Sequence, residues 1–90
     1  MYKVIFAETA DEDIAFWKKS GQKAVMTKIS RLLVDIQEHP LTGLGKPEAL
    51  RFNLTGLYSR RIDAGNRLVY DIDEQAQSVT VYSLRGHYRK

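Results

Sequence analysis

Apolar and polar residues alternate at the start of this chain, recur at helical spacing through its middle, and alternate again towards its end. Residues 2–8, YKVIFAE, alternate and are rich in β-formers, so they predict a strand. Thr9 and Glu12 have the spacing of a capping box, and Asp11 and Asp13 would complement a helix dipole. A first helix is expected from about Ala10 to Lys19. Asp11, Glu12 and Asp13 are assigned to its cap and not to a metal, because successive helical residues point in different directions. Ser20-Gly21 breaks the pattern. Val25, Ile29, Leu32, Leu33 and Ile36 then make one apolar stripe along a second helix that reaches His39. Pro40 stops it, and residues 41–47 (LTGLGKP) read as a glycine-punctuated loop. His39, at the helix C-terminus where a cation is favoured, reads as a cap.

From Ala49 the period is two. Residues 49–54, 58–63, 67–72 and 78–84 predict strands in a meander, with connections near Thr55-Gly56, Ala64–Asn66 and Asp73–Gln77. This order predicts a single α+β domain over residues 1–90, in which an N-terminal strand and two helices pack on an antiparallel sheet of four to five strands.

The hairpin near Gly65 matters most for function. A two-residue turn would pair Ile62 with Arg67, putting an apolar and a charged residue on one face. A three-residue loop, Ala64-Gly65-Asn66 with Asn66 left-handed, pairs Asp63 with Arg67, Ile62 with Leu68 and Arg61 with Val69. That register is the expectation. It places Arg61 and Arg67 together on the face opposite the core, where their planar donor forks could address phosphate. The residues alone favour the plainer reading, a surface pair between Arg67 and Asp63 across the hairpin.

Composition narrows the classes. The chain has no cysteine, which excludes disulfides and thiolate metal sites and fits a reducing cytoplasm. MYKVIFAETADED lacks the charged start and long apolar middle of a signal peptide, and no run approaches the roughly 20 apolar residues that span a membrane. Net charge is +3, and it is unevenly placed. Residues 1–45 carry six basic and six acidic side chains, whereas residues 46–90 carry eight and five. The excess should gather on the later strands and tail, as a polyanion partner requires. The tail, Arg85-Gly86-His87-Tyr88-Arg89-Lys90, sets an imidazole and a phenol among cations, which suits proton transfer and base stacking.

Five motifs occur in fixed order: Gly45-Lys46-Pro47-Glu48-Ala49-Leu50, Asn53-Leu54-Thr55-Gly56, Ser59-Arg60-Arg61-Ile62, Arg67-Leu68-Val69-Tyr70 and His87-Tyr88. With the strand-helix-helix opening, they resemble the YoeB/Txe-type toxins of the RelE family over almost the whole chain. The resemblance implies a RelE-like fold and a toxin–antitoxin pair whose toxin cuts messenger RNA on the ribosome and so inhibits translation. It also implies roles. Glu48 matches the general base, Arg67 the residue that stabilises the transition state, and His87 the general acid. Lys46, Arg61 and Tyr88 match supporting substrate-binding positions. No metal or cofactor is implied, and the partners are the ribosome, mRNA and an acidic antitoxin of the YefM/Axe type. Glu48, Arg67 and His87 are expected to be exposed, and to share one concave surface with Arg61 on the sheet face away from the helices. Gly86 stands where relatives often carry a bulkier side chain, and Arg89 and Lys90 follow Tyr88. The alternative is a non-catalytic RNA-binding or antitoxin-binding module of the same fold. Such a module has no need of a carboxylate at Glu48, which would repel phosphate.

Overall fold

A computed structural model of the chain describes residues 1–86. Strand β1 (Lys3–Phe6) leads into helix α1 (Glu8–Ser20) and helix α2 (Lys23–Glu38). Strands β2 (Glu48–Ala49), β3 (Tyr58–Asp63), β4 (Asn66–Asp73) and β5 (Ser78–Ser83) follow. The five strands form one sheet in the order β1-β5-β4-β3-β2. The meander from β2 to β5 is antiparallel, while β1 lies parallel to β5 at the far edge. This is the expected α+β architecture, with the helices on one face.

The stripe read from α2 is the stripe that packs. Ile29, Leu32 and Ile36 are buried, and Val25 and Leu33 are half-buried against the same core. Ala10 and Trp17 of α1 join them over Ile62, Leu68, Tyr70, Val79, Val81 and Leu84. Each such aliphatic side chain, fully buried, contributes about 1.5–3 kcal/mol. Gly21 closes α1 in the left-handed conformation, φ 72°, which costs glycine little. Helix α2 ends when the His39 N–H donates to Asp35 O and Pro40 follows, so His39 is the C-cap.

Three local expectations are corrected. The capping box does not form. Ala7 is the N-cap of α1, and the Thr9 hydroxyl, inside the first turn, donates to the Tyr82 carbonyl. The contact with β5 outcompetes the local one. Asp13 is not part of a cap but 2% exposed, and it accepts from the Leu84 N–H at 2.9 Å. The strand expected over 49–54 is only Glu48–Ala49, followed by a single 3₁₀ turn, Phe52–Leu54. There the backbone bends away: the Leu54 and Thr55 amides donate to Arg51 O and Phe52 O within the segment.

The hairpin register also differs. Its turn is Ala64-Gly65, and Asp63 lies opposite Asn66. A bulge then shifts the register between Arg61 and Asp63, so Arg61 pairs with Arg67, Arg60 with Leu68 and Ser59 with Val69. Asn66 is not left-handed. Asp63 does the work instead, its Oδ1 accepting from the Gly65 N–H and from Asn66 Nδ2, both at 2.9 Å. The bulge lets Ile62 enter the core, 5% exposed, without slipping the rest of the strand. Arg61 and Arg67 still share a face, now as direct partners.

Candidate active site

Leu68 and Tyr70 point into the core, so Arg67, between the turn and Val69, points to the opposite face of β4. Arg61 stands beside it. Their amides turn outward: Arg61 N–H donates to Gly45 O at 2.6 Å and Arg67 N–H to Gly86 O at 2.9 Å. The two residues are therefore a non-hydrogen-bonded pair, the kind in which side chains approach most closely. Like charges directly opposite one another destabilise a sheet. An anion between them would remove that cost.

The same two hydrogen bonds bring two other chain segments to the pair. Gly45 docks the α2–β2 loop on the outer side of β3, which sets Lys46 beside Arg61 and starts β2. Gly45 is needed there, because φ is 79° and an added Cβ would stand 2.8 Å from Leu32 Cδ2 and 3.0 Å from Arg61 O. Lys46 is exposed and has φ 53°. Glu48 pairs with Ser59 across β2–β3, and its Oε1 lies 3.5 Å from Arg67 Nη1. A carboxylate thus lies against the arginine pair. The Glu48 side chain is 52% exposed and that of Arg67 only 15%, so Arg67 lies deeper than the exposed position expected of it. The Arg67–Asp63 surface pair does not form; Asp63 serves the turn.

Gly86 arrives on the other side, beside β4, and its N–H donates to Asn66 Oδ1 at 2.8 Å. The residues just before it are bound to α1. Leu84 gives its N–H to Asp13 and accepts from Trp17 Nε1 at 2.8 Å, and the Arg85 guanidinium lies 4.0 Å from the centre of the Phe16 ring. The segment leading into His87 is thus held by a carboxylate, an indole and a phenyl of one helix, and by Asn66 of the hairpin. His87 and Tyr88 lie outside the described residues. Lower on this face the Tyr82 hydroxyl donates to Asp71 Oδ2 at 2.6 Å, and that bond pushes the phenol up to about 12.

Sequence reasoning missed Arg60. It is buried on the helix side, where its Nη1 meets Asp35 Oδ2 at 2.5 Å and Leu44 O at 3.1 Å. Its Nη2 reaches Thr42 O at 2.9 Å and the His39 carbonyl, and its Nε the Tyr70 hydroxyl at 3.2 Å. One guanidinium thereby gathers the carbonyls of the loop that delivers Lys46 and Glu48. Burial alone would raise the Asp35 carboxyl, but hydrogen bonds from Arg60 and Leu44, with the charge of Arg60, outweigh it and hold it below its ordinary value. One of the eight basic residues of the second half is therefore neutralised inside, and the polyanion face relies on the others.

The model of the YoeB-like toxins of bacterial type II toxin–antitoxin systems matches residues 6–88. The chain belongs to that family. Among its relatives, a toxin YoeB from Mycobacterium bovis is 42% identical over 98% of this chain and 100% of its own length. A solved YoeB/ParE toxin from Agrobacterium tumefaciens superposes with a TM-score of 0.89 at 34% identity, covering 96% of this chain and 99% of the other. The toxin in a YoeB-YefM complex from Staphylococcus aureus has a TM-score of 0.83 at 38% identity, covering 98% and 99%. A YoeB-like toxin of a type II system is thus the family to which the Glu48–Arg61–Arg67 cluster belongs.

Proposed function

We propose that this YoeB-like toxin is a ribosome-dependent mRNA endoribonuclease that works without a metal. The observation that carries the reading is the Glu48 carboxylate 3.5 Å from Arg67, with Arg61 directly across the hairpin. A module that only binds RNA gains nothing from a carboxylate at the centre of its cationic patch. A transesterase requires one. Glu48 takes the proton from a ribose 2′-hydroxyl, and the freed oxygen attacks the adjacent phosphorus. Arg67, with Arg61, stabilises the charge that builds on the five-coordinate phosphate. The bond from phosphorus to the 5′-oxygen breaks, and His87 protonates that oxygen as it leaves. The products are a 2′,3′-cyclic phosphate and a 5′-hydroxyl. Lys46 and Tyr88 support the bound strand, the first by charge and the second by stacking. Dependence on the ribosome follows from the family likeness.

The partner in this reading is an acidic antitoxin of the YefM type, as in the staphylococcal complex, and both proteins act in the cytoplasm. Among the described residues no helix is long and apolar enough to cross a membrane. The test is single-turnover cleavage of a ribosome-bound message by the purified protein, with the ends of the fragments identified. A cyclic phosphate at the new 3′ end is expected. Binding to programmed ribosomes without any cleavage would sink the catalytic reading and leave the RNA-binding module.

A further inference from the structure

Between β2 and β3, the Leu50 N–H donates to Leu57 O at 2.9 Å and closes residues 50–57 into a small loop. At its tip Phe52 has φ 59° and is 90% exposed. Both features are unfavourable for folding. A bulky side chain pays a steric penalty in left-handed backbone, and a phenyl ring left in water forgoes the gain of burial. The conformation is nevertheless held firmly, because the N–H and hydroxyl of Thr55 both donate to the Phe52 carbonyl, at 3.1 and 2.7 Å. The loop thus fixes an aromatic ring outward. The same residues line a cleft of about 340 Å³ whose wall runs from Glu48 through Arg51 and Phe52 to Asn53 and Leu54. Arg51, which precedes the ring in the chain, is exposed and lines the same cleft.

We propose that Phe52 is a stacking platform for a base of single-stranded RNA, next to the nucleotide whose 2′-hydroxyl Glu48 addresses. The proposal rests on the ribonuclease reading above and adds a subsite to it. An exposed ring flanked by a guanidinium, continuous with a cationic patch, has the chemistry that holds unpaired nucleotides: the ring takes the base and the cation its phosphate. The cleft joins that ring to Glu48. An acidic peptide would satisfy Arg51 but leave the face of the ring without a planar partner. Local backbone strain is tolerated where function uses it, and here the strained residue serves no core.

The experiment uses a message carrying a 2′-deoxy nucleotide at the cleavage position, which binds uncut, with 2-aminopurine beside it, programmed into ribosomes. The full chain should quench the 2-aminopurine fluorescence. Phe52→Ala should lose the quench and bind roughly 5- to 150-fold more weakly, the range of one lost base–aromatic stack. Phe52→Trp should keep both. Phe52→Gly separates function from folding: it removes the ring but suits positive φ, so Tm should rise while the quench disappears. Undiminished quench and affinity in Phe52→Ala would overturn the platform, as would a fall of Tm in Phe52→Gly parallel to its loss of binding. Loss of affinity for an acidic antitoxin alone, with RNA binding intact, would reassign the ring to the protein partner. If the unsubstituted chain fails to cut an all-ribose message, the ribonuclease reading falls and takes the platform with it. If both chains cut and bind it equally, only the platform falls.

Discussion

Glu48, Arg61 and Arg67 are adjacent only because a bulge at Ile62 aligns Arg61 with Arg67. Arg61 and Arg67 stand directly opposite each other with the Glu48 carboxylate 3.5 Å from Arg67, so their roles can be separated by substitutions that keep the shape. Arg67→Gln retains most of the buried stem and should lower single-turnover mRNA cleavage by on the order of 10²–10³, the usual loss of a positioned transition-state donor. Glu48→Gln removes a proton acceptor from a half-exposed position and should lose ~10²–10⁴ with Tm nearly unchanged. Combined, the losses should be less than multiplicative, because both groups act on one reaction coordinate. Near-normal cleavage in either folded variant would remove it from the mechanism. Arg60 is a different kind of arginine. Its partner Asp35 has a carboxyl held below its ordinary value of 3.8, so this pair adds stability above that value and loses it as pH falls through the lower folded one. Thermal unfolding followed from pH 6 down to pH 2 should show this acid loss, and Asp35→Asn, less stable at pH 6, should show less of it. Equal acid slopes would mean that other carboxylates dominate.

Between elements, the site is assembled by two docking events, each of which can be disturbed alone. The α2–β2 loop is held by Arg60 and by the close approach of Gly45 to β3. Gly45→Ala would drive a methyl against Leu32 and the Arg61 carbonyl in a backbone region alanine avoids, and should cost about 1–3 kcal/mol in denaturant melts. The chain leading to His87 is held by α1. Asp13→Ala leaves the Leu84 N–H buried without its acceptor, at a cost of about 1–3 kcal/mol. Cleavage measured well below Tm should fall further than the unfolded fraction explains, because the bond fixes Leu84, three residues before His87. Activity that tracks the folded fraction alone would make Asp13 a purely structural anchor. The missing capping box belongs to this scale too: Thr9 serves the contact with Tyr82 of β5 in preference to the end of its own helix.

For the whole molecule, the core and the Glu48–Arg61–Arg67 cluster lie on opposite faces of the sheet. The helices cover one, and Glu48, Arg61 and Arg67 occupy the other. If the partner is an acidic antitoxin, much of the contact is between charges. Titration calorimetry at low and high salt should then give an affinity that weakens as salt rises. Salt-independent binding would place the interface on apolar surface and displace this charge argument.

Periodicity by itself determined the helical stripe of α2, the extended runs that became β3, β4 and β5, and the face shared by Arg61 and Arg67. These are properties of neighbours in the chain, and 3.6 and 2 residue repeats report them without knowledge of the rest. Motif order pointed to Glu48, Arg67 and Lys46 in the same way. The tertiary structure alone decided that Asp13 is an anchor, since Asp13 and Asp11 look alike until Leu84 arrives seventy-one residues later. It alone told the buried Arg60 from the exposed Arg61, because only the Asp35 carboxylate and the loop carbonyls make a buried guanidinium tolerable. The register fell to it as well: the cost of burying Arg61 or exposing Ile62 was avoidable by a bulge, which a local count of turn residues does not contain.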